Sequence, residues 1–138
     1  MLDKYLNKGI YHKINLYINQ PKVEKAIFHD CHYIKGTVQN FEKCSFNTSD
    51  LYLQYTEDEV IFTDCEFYNT TFTHSSFSKL KFKNCILNNV KFIECYAEQV
   101  NFEYCSFINE GKEKLSILTK ENKKEMIINS IIKDIEEC

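Results

Sequence analysis

Seven cysteines and four histidines are the side chains of this 138-residue chain best suited to metal binding, nucleophilic catalysis or disulfide formation. Their spacing decides among these. The one local cluster is His29, Cys31 and His32. No paired C-x-x-C accompanies it, so the spacing of a structural zinc site is missing. His12 and His74 stand apart in the sequence, and Glu94 follows His74 by twenty residues, a separation that suits a surface pair better than a catalytic dyad. The chain carries no G-x-S-x-G, no glycine-rich phosphate loop and no H-E-x-x-H. Three glycines and one proline leave little material for catalytic loops. No metal, no cofactor and no enzymatic activity are expected.

The cysteines obey a different rule. Cys65, Cys85 and Cys105 are twenty residues apart, and Cys95 falls midway between two of them. They belong to a period of five that runs unbroken from Val60 to Asn109. Bulky residues recur at Phe62, Phe67, Phe72, Phe77, Phe82, Leu87, Phe92, Ala97, Phe102 and Phe107. Two residues before each stands a smaller one: Val60, Cys65, Thr70, Ser75, Leu80, Cys85, Val90, Cys95, Val100 and Cys105. Neither the strand period of 2 nor the helix period of 3.6 generates this spacing. Asn69, Asn89 and Asn109 share the twenty-residue interval, as expected of a corner where stacked amides form a ladder.

At these positions the sequence resembles the pentapeptide-repeat family, whose repeat centres on Leu or Phe with a small residue two before it. The resemblance implies a mainly β fold, a right-handed quadrilateral parallel β-helix in which each repeat forms one side and four repeats form a coil. Two departures stand out: the small position is often Cys or Val instead of Ala, and Ala97 takes a bulky place. In such a coil the cysteines act as small hydrophobes and remain reduced, because stacked side chains point the same way and not toward each other. Cys31 then faces inward and its histidine neighbours outward.

Upstream the pattern persists with breaks of phase. Phe41, Phe46 and Leu51 continue it, with Cys44 and Ser49 at small positions. Cys44 precedes Cys65 by twenty-one residues, which places one extra residue near Thr56, Glu57, Asp58 and Glu59, read as a small loop. Ala26/Phe28, Cys31/Tyr33 and Gly36/Val38 also fit, but Val38 to Phe41 is two residues short. The repeats are therefore assigned to residues 23–110, with residues 1–22 as an N-terminal cap. After Gly111 the period changes. Leu115, Leu118, Ile128, Ile131, Ile132 and Ile135 follow helical spacing, so residues 111–138 are expected to form one or two helices. They would cover the last coil or join two copies. The breadth of the stripe, which includes Met126 and Ile127, and the end-to-end pairing known in some members of the family favour a homodimer, with Leu118, Ile128, Ile131, Ile132 and Ile135 at its interface.

Composition narrows the function. All seventeen basic residues are Lys and the net charge is −3. Arg, the main bidentate reader of phosphate and guanine, is absent, which argues against direct nucleic-acid binding. No run of about 18 apolar residues appears and the N-terminus lacks a signal-peptide core, so a cytoplasmic protein without a membrane span is expected. Three readings of function remain. The first is a protein-binding scaffold using an outward strip with Tyr68, Ile86 and Ile108. The second, implied by the resemblance, is a DNA mimic that binds DNA gyrase or another DNA-binding enzyme. Its candidate contacts are Glu57, Asp58, Glu59, Asp64 and Glu66. Residues 36–110 hold eleven acids against five lysines, about half the charge density of duplex DNA. The third is a small inhibitor of phage or mobile-element origin.

Overall fold

The computed structural model describes residues 7–53, 59–108 and 118–119. These form a parallel β-solenoid, and no helix occurs among the described residues. Strands β1 (Ile10–His12), β2 (Asn15–Asn19) and β3 (Lys22–Glu24) make the first level. The second is β4 (Ile27–His29), β5 (Tyr33–Thr37) and β6 (Asn40–Glu42), and the third is β7 (Ser45–Asn47), β8 (Asp50–Leu53) and β9 (Glu59–Thr63). Then come β10 (Glu66–Tyr68), β11 (Thr71–Thr73) and the longer β12 (Ser76–Lys83), followed by β13 (Ile86–Asn88), β14 (Lys91–Ile93) and β15 (Tyr96–Glu103). β16 (Ser106–Ile108) opens a further level, and β17 (Leu118–Thr119) pairs with β15.

Three ladders result. The first face stacks β1-β4-β7-β10-β13-β16, the second stacks β2-β5-β8-β11-β14, and the third stacks β3-β6-β9-β12-β15-β17. Six levels at ~4.8 Å each give a rod roughly 24 Å tall.

Alternation explains the core. On the three-residue strands of the ladders the middle residue points inward, and Phe28, Phe41, Phe46, Phe62, Phe67, Phe72, Phe77 and Phe82 are fully buried. Each such ring withdraws enough apolar surface to contribute roughly 2–3 kcal/mol. Along the axis the rings stack nearly parallel: Phe41 on Phe62 at 4.8 Å and Phe62 on Phe82 at 5.1 Å. Across the axis they meet edge to face, as Phe62 does with Phe72 at 88°.

The corners turn on residues with positive φ, and thirteen of those described are not glycine. A left-handed conformation costs such residues roughly 1–2 kcal/mol. Eleven of these thirteen corner N–H groups are returned to the ladder, for example Asp64 N–H to the Lys83 carbonyl at 3.0 Å and Asn69 N–H to that of Asn88 at 2.9 Å. Asn89 donates a side-chain bond of 2.7 Å to Asn69, an amide pair of the ladder expected at that corner, whose third member Asn109 lies outside the described residues; at another corner Asn84 donates one of 2.7 Å to Asp64.

Coil length varies along the rod. Phe62 and Phe82 are in register with a twenty-residue offset, Phe46 and Phe67 with twenty-one, Phe28 and Phe46 with eighteen, and Tyr11 and Phe28 with seventeen. The twenty-one-residue offset holds at Leu51 and Phe72 but becomes twenty at Val60 and Leu80. The additional residue therefore lies between Leu51 and Val60, where the acidic loop was expected, although Thr56, Glu57 and Asp58 lie outside the described residues.

Three expectations change. The ladder begins at Ile10, so residues 10–22 are the first level of the solenoid and not a separate cap, because Leu16, Ile18 and Val23 supply inward side chains at shortened spacing. Tyr33 is 46% exposed and Ile34 takes its inward place. Leu118 and Thr119, expected in a helix, form a short strand in parallel register with Tyr96 and Ala97. Met126, Ile127, Ile128, Ile131, Ile132 and Ile135 lie outside the described residues.

Candidate functional site

A solenoid arranges outward side chains in straight columns, so each face is a potential binding surface. On the first face, register puts Ile10, Ile27, Ser45, Glu66, Ile86 and Ser106 in one column. His12, His29, Asn47, Tyr68, Asn88 and Ile108 form the next. Tyr68, Ile86 and Ile108 thus share one surface, as the sequence indicated. Ile108 is 54% exposed, while Tyr68 and Ile86 are half-buried. Beyond Ser45 and Glu66 the same face carries a second apolar pair, Ile10 and Ile27, which sequence reasoning missed. A self-similar pair of segments, Ile10-Tyr11-His12 and Ile27-Phe28-His29, was the available signal. His12 and His29 lie Nδ1 to Nδ1 at 3.0 Å, so one ring donates to the other.

The described acidic candidates do not converge. Glu59 opens β9 on the third face beside Lys79. Asp64 sits at the corner, where it accepts from Asn84, and Glu66 is on the first face between Ser45 and Ile86. Glu57 and Asp58 lie outside the described residues. Elsewhere acids face basic side chains across levels: Lys81 meets Glu103 at 3.1 Å, Lys22 meets Glu42 at 3.6 Å, and the His74 ring meets Glu94 at 2.6 Å. The last is the surface pair read from the twenty-residue spacing.

The cysteines take one structural role. Cys44, Cys65, Cys85 and Cys105 form a column, and each thiol donates to the carbonyl two residues before it and to one in the preceding level. Cys85, for instance, reaches Lys83 O at 3.4 Å and Phe62 O at 3.2 Å. Ser49, Thr70 and Ser75 occupy equivalent places, and each hydroxyl likewise donates to the carbonyl two residues before it. Burial pushes the Cys65 thiol well above the usual range and raises that of Cys95. Cys85, between the Cys105 and Cys65 thiols in the column, is drawn down by these neighbours, which in turn helps hold those two up. All six described cysteines are free and buried. Among the described residues no three metal-ligating side chains are arranged to hold a metal ion.

The second face carries a cluster that the sequence did not reveal. Tyr17, Lys35 and Tyr52 are consecutive in one outward column, with Tyr33 in the column beside them. The unequal coil lengths hide this alignment from any fixed period. Tyr33 and Tyr52 stack at 5.1 Å, and Lys35 Nζ lies 5.4 Å and 6.0 Å from their centroids, near enough for cation–π attraction. A shallow cavity of about 490 Å³ is lined by Asn15, Leu16, Tyr17, Tyr33 and Lys35. At the adjoining corner His32 contacts Asp50 and Asp30, both at 3.1 Å. The Asp50 hydrogen bond, followed by the Asp30 contact, outweighs slight desolvation and holds the His32 pKa above its ordinary value.

Residues 58–89 match the family model for pentapeptide repeats, a model written over eight copies. No curated protein and no solved structure matches the chain significantly.

Proposed function

We propose that this pentapeptide-repeat protein is a non-enzymatic binding protein that engages another protein through the flat faces of its solenoid. The observation that carries the reading is the strip of Tyr68, Ile86 and Ile108 on the first face; Ile27 and Ile10 form a second apolar pair on that face, beyond Ser45 and Glu66. Strand register holds these residues in two adjacent rows. Outward apolar side chains on a rigid ladder lose little entropy on docking, and Tyr is favoured at such contacts. The DNA-mimic reading draws less support: Glu59, Asp64 and Glu66 are spread over two faces and a corner, and several acids elsewhere already face cations. The inhibitor reading, of phage or mobile-element origin, names a use for such binding without requiring a different surface.

The test is affinity capture with quantitative comparison of variants. Partners held by the wild type should be lost with Ile86→Glu and retained when Glu59, Asp64 and Glu66 are changed to their amides. The reverse pattern, with capture abolished by added salt, would favour mimicry of DNA. Indifference to both sets would move the contact to another face. A homodimer joined through residues 118–135, with the chain in the cytoplasm, is part of the same proposal. Light-scattering chromatography checks the dimer: paired Ile131→Lys and Ile132→Lys substitutions should halve the mass if that stripe joins two copies.

A further inference from the structure

We propose that the tyrosine cluster on the second face is a separate docking site for an extended, acidic segment of a partner protein. It rests on the reading of the rod as a binding protein but uses a different face, so the two can fail independently. Two observations converge on it. First, β2 ends the second-face ladder: its five residues pair with β5 on one side and with no other strand among the described residues. A strand edge of this kind can accept an added strand through main-chain hydrogen bonds. Secondly, the cavity lies on that edge, with Asn15, Leu16 and Tyr17 of β2 among its lining. Tyr17 is 61% and Tyr33 46% exposed, so the aromatic wall is open to a ligand.

Charge identifies the occupant. Among the described residues Lys35 is the one charged side chain lining the cavity, and no acid pairs with it. The nearest acid in the ladder, Asp50, is engaged by His32 at 3.1 Å. Among the described residues Lys35 therefore has no carboxylate partner, standing between Tyr17 and Tyr52 in its column. A strand laid along β2 would project alternate side chains onto this surface. A glutamate there would reach across Tyr17 toward Lys35, one level further in, and an apolar or aromatic neighbour would pack on Tyr17. A single lysine without Arg suits a peptide carboxylate better than the repeated phosphates of a nucleic acid.

The experiment uses the full chain, immobilised and panned against displayed random decapeptides, followed by anisotropy titration of the best synthetic peptide. Enrichment of acidic, β-prone sequences is expected. Tyr17→Ala and Lys35→Glu should weaken the peptide about tenfold or more, as hot-spot losses do, with Lys35→Arg restoring most of the binding. The first-face variant Ile86→Glu should leave its affinity within about twofold, since the sites share no contacts. N-methylation of the alternate peptide amides that face β2 should abolish binding, and the opposite alternation should spare it. Both tested residues are solvent-facing, and an unchanged melting temperature confirms that each variant is folded. Several outcomes would overturn the proposal: no enrichment, binding indifferent to Lys35, or tighter binding of single-stranded oligothymidylate than of any peptide. A wild-type dimer broken by Tyr17→Ala would also overturn it, because the occupant would then be a second copy.

Discussion

Phe62 lies flat against Phe41, 4.8 Å between ring centroids and 6° from parallel, although twenty-one residues separate them. It repeats the relationship with Phe82 at 5.1 Å and meets Phe46, Phe67 and Phe72 edge-on. This one ring therefore ties three levels and both coil lengths together. Phe62→Ala should cost about 3–5 kcal/mol, the range for a buried Phe whose site cannot collapse. Urea denaturation checks this; a loss under about 1 kcal/mol would show that the levels do not depend on the ring stack.

Gly36 has φ of 140°, and a Cβ there would overlap the Ile18 backbone carbonyl in the adjacent level. Both the conformation and the close approach require glycine. Gly36→Ala should destabilise the rod by more than about 2 kcal/mol. Hydrogen exchange of the β2 and β5 amides should rise before that of β12 and β13.

The thiols of Cys44, Cys65, Cys85, Cys95 and Cys105 are buried donors in positions that Ser49, Thr70 and Ser75 fill equally well. Cys85→Ser should therefore change stability by only about 1 kcal/mol, the scale of one exchanged hydrogen bond. In a Cys138→Ser background, Ellman's reagent should leave the native protein unlabelled and react fully once guanidinium unfolds it. Rapid labelling of the native chain would contradict the burial that raises Cys65 and Cys95.

His32, bonded to Asp50 and Asp30, has a raised pKa in the folded state. The sign follows from linkage. The protonated pair stabilises the fold fully below the unfolded histidine value of about 6.5, and this contribution disappears as pH rises through the raised folded value. Asp50→Asn should lower stability in acid and converge with the wild type at alkaline pH. NMR titration of His32 should show a midpoint that falls in the variant. Because the pair is exposed, added salt should shrink the difference.

Much of the fold was legible before any coordinates, for a physical reason. From Val60 to Phe102 each inward place is filled by a residue of the right size at a constant interval, so period and level coincide. Phe62, Phe82 and Phe102 align in register as their numbering requires. The first face of the candidate site followed from the same arithmetic. Before residue 41 the interval shrinks to seventeen and eighteen, and arithmetic alone misassigned Tyr33 and the first level. Which of Tyr33 and Ile34 points inward depends on how the chain rounds the corner after Asp30, whose φ is 60°.

Residue types and spacing by themselves determined that this chain stacks coils and buries its cysteines as small core residues, because each is a local demand repeated at a fixed interval. Only the tertiary structure decided which outward residues become neighbours. Tyr17, Lys35 and Tyr52 meet because hydrogen-bonded ladders align levels of unequal length, and the acids near Glu59 separate because a corner intervenes. A face of a solenoid is assembled from residues a whole coil apart, so its chemistry follows the register of the ladder.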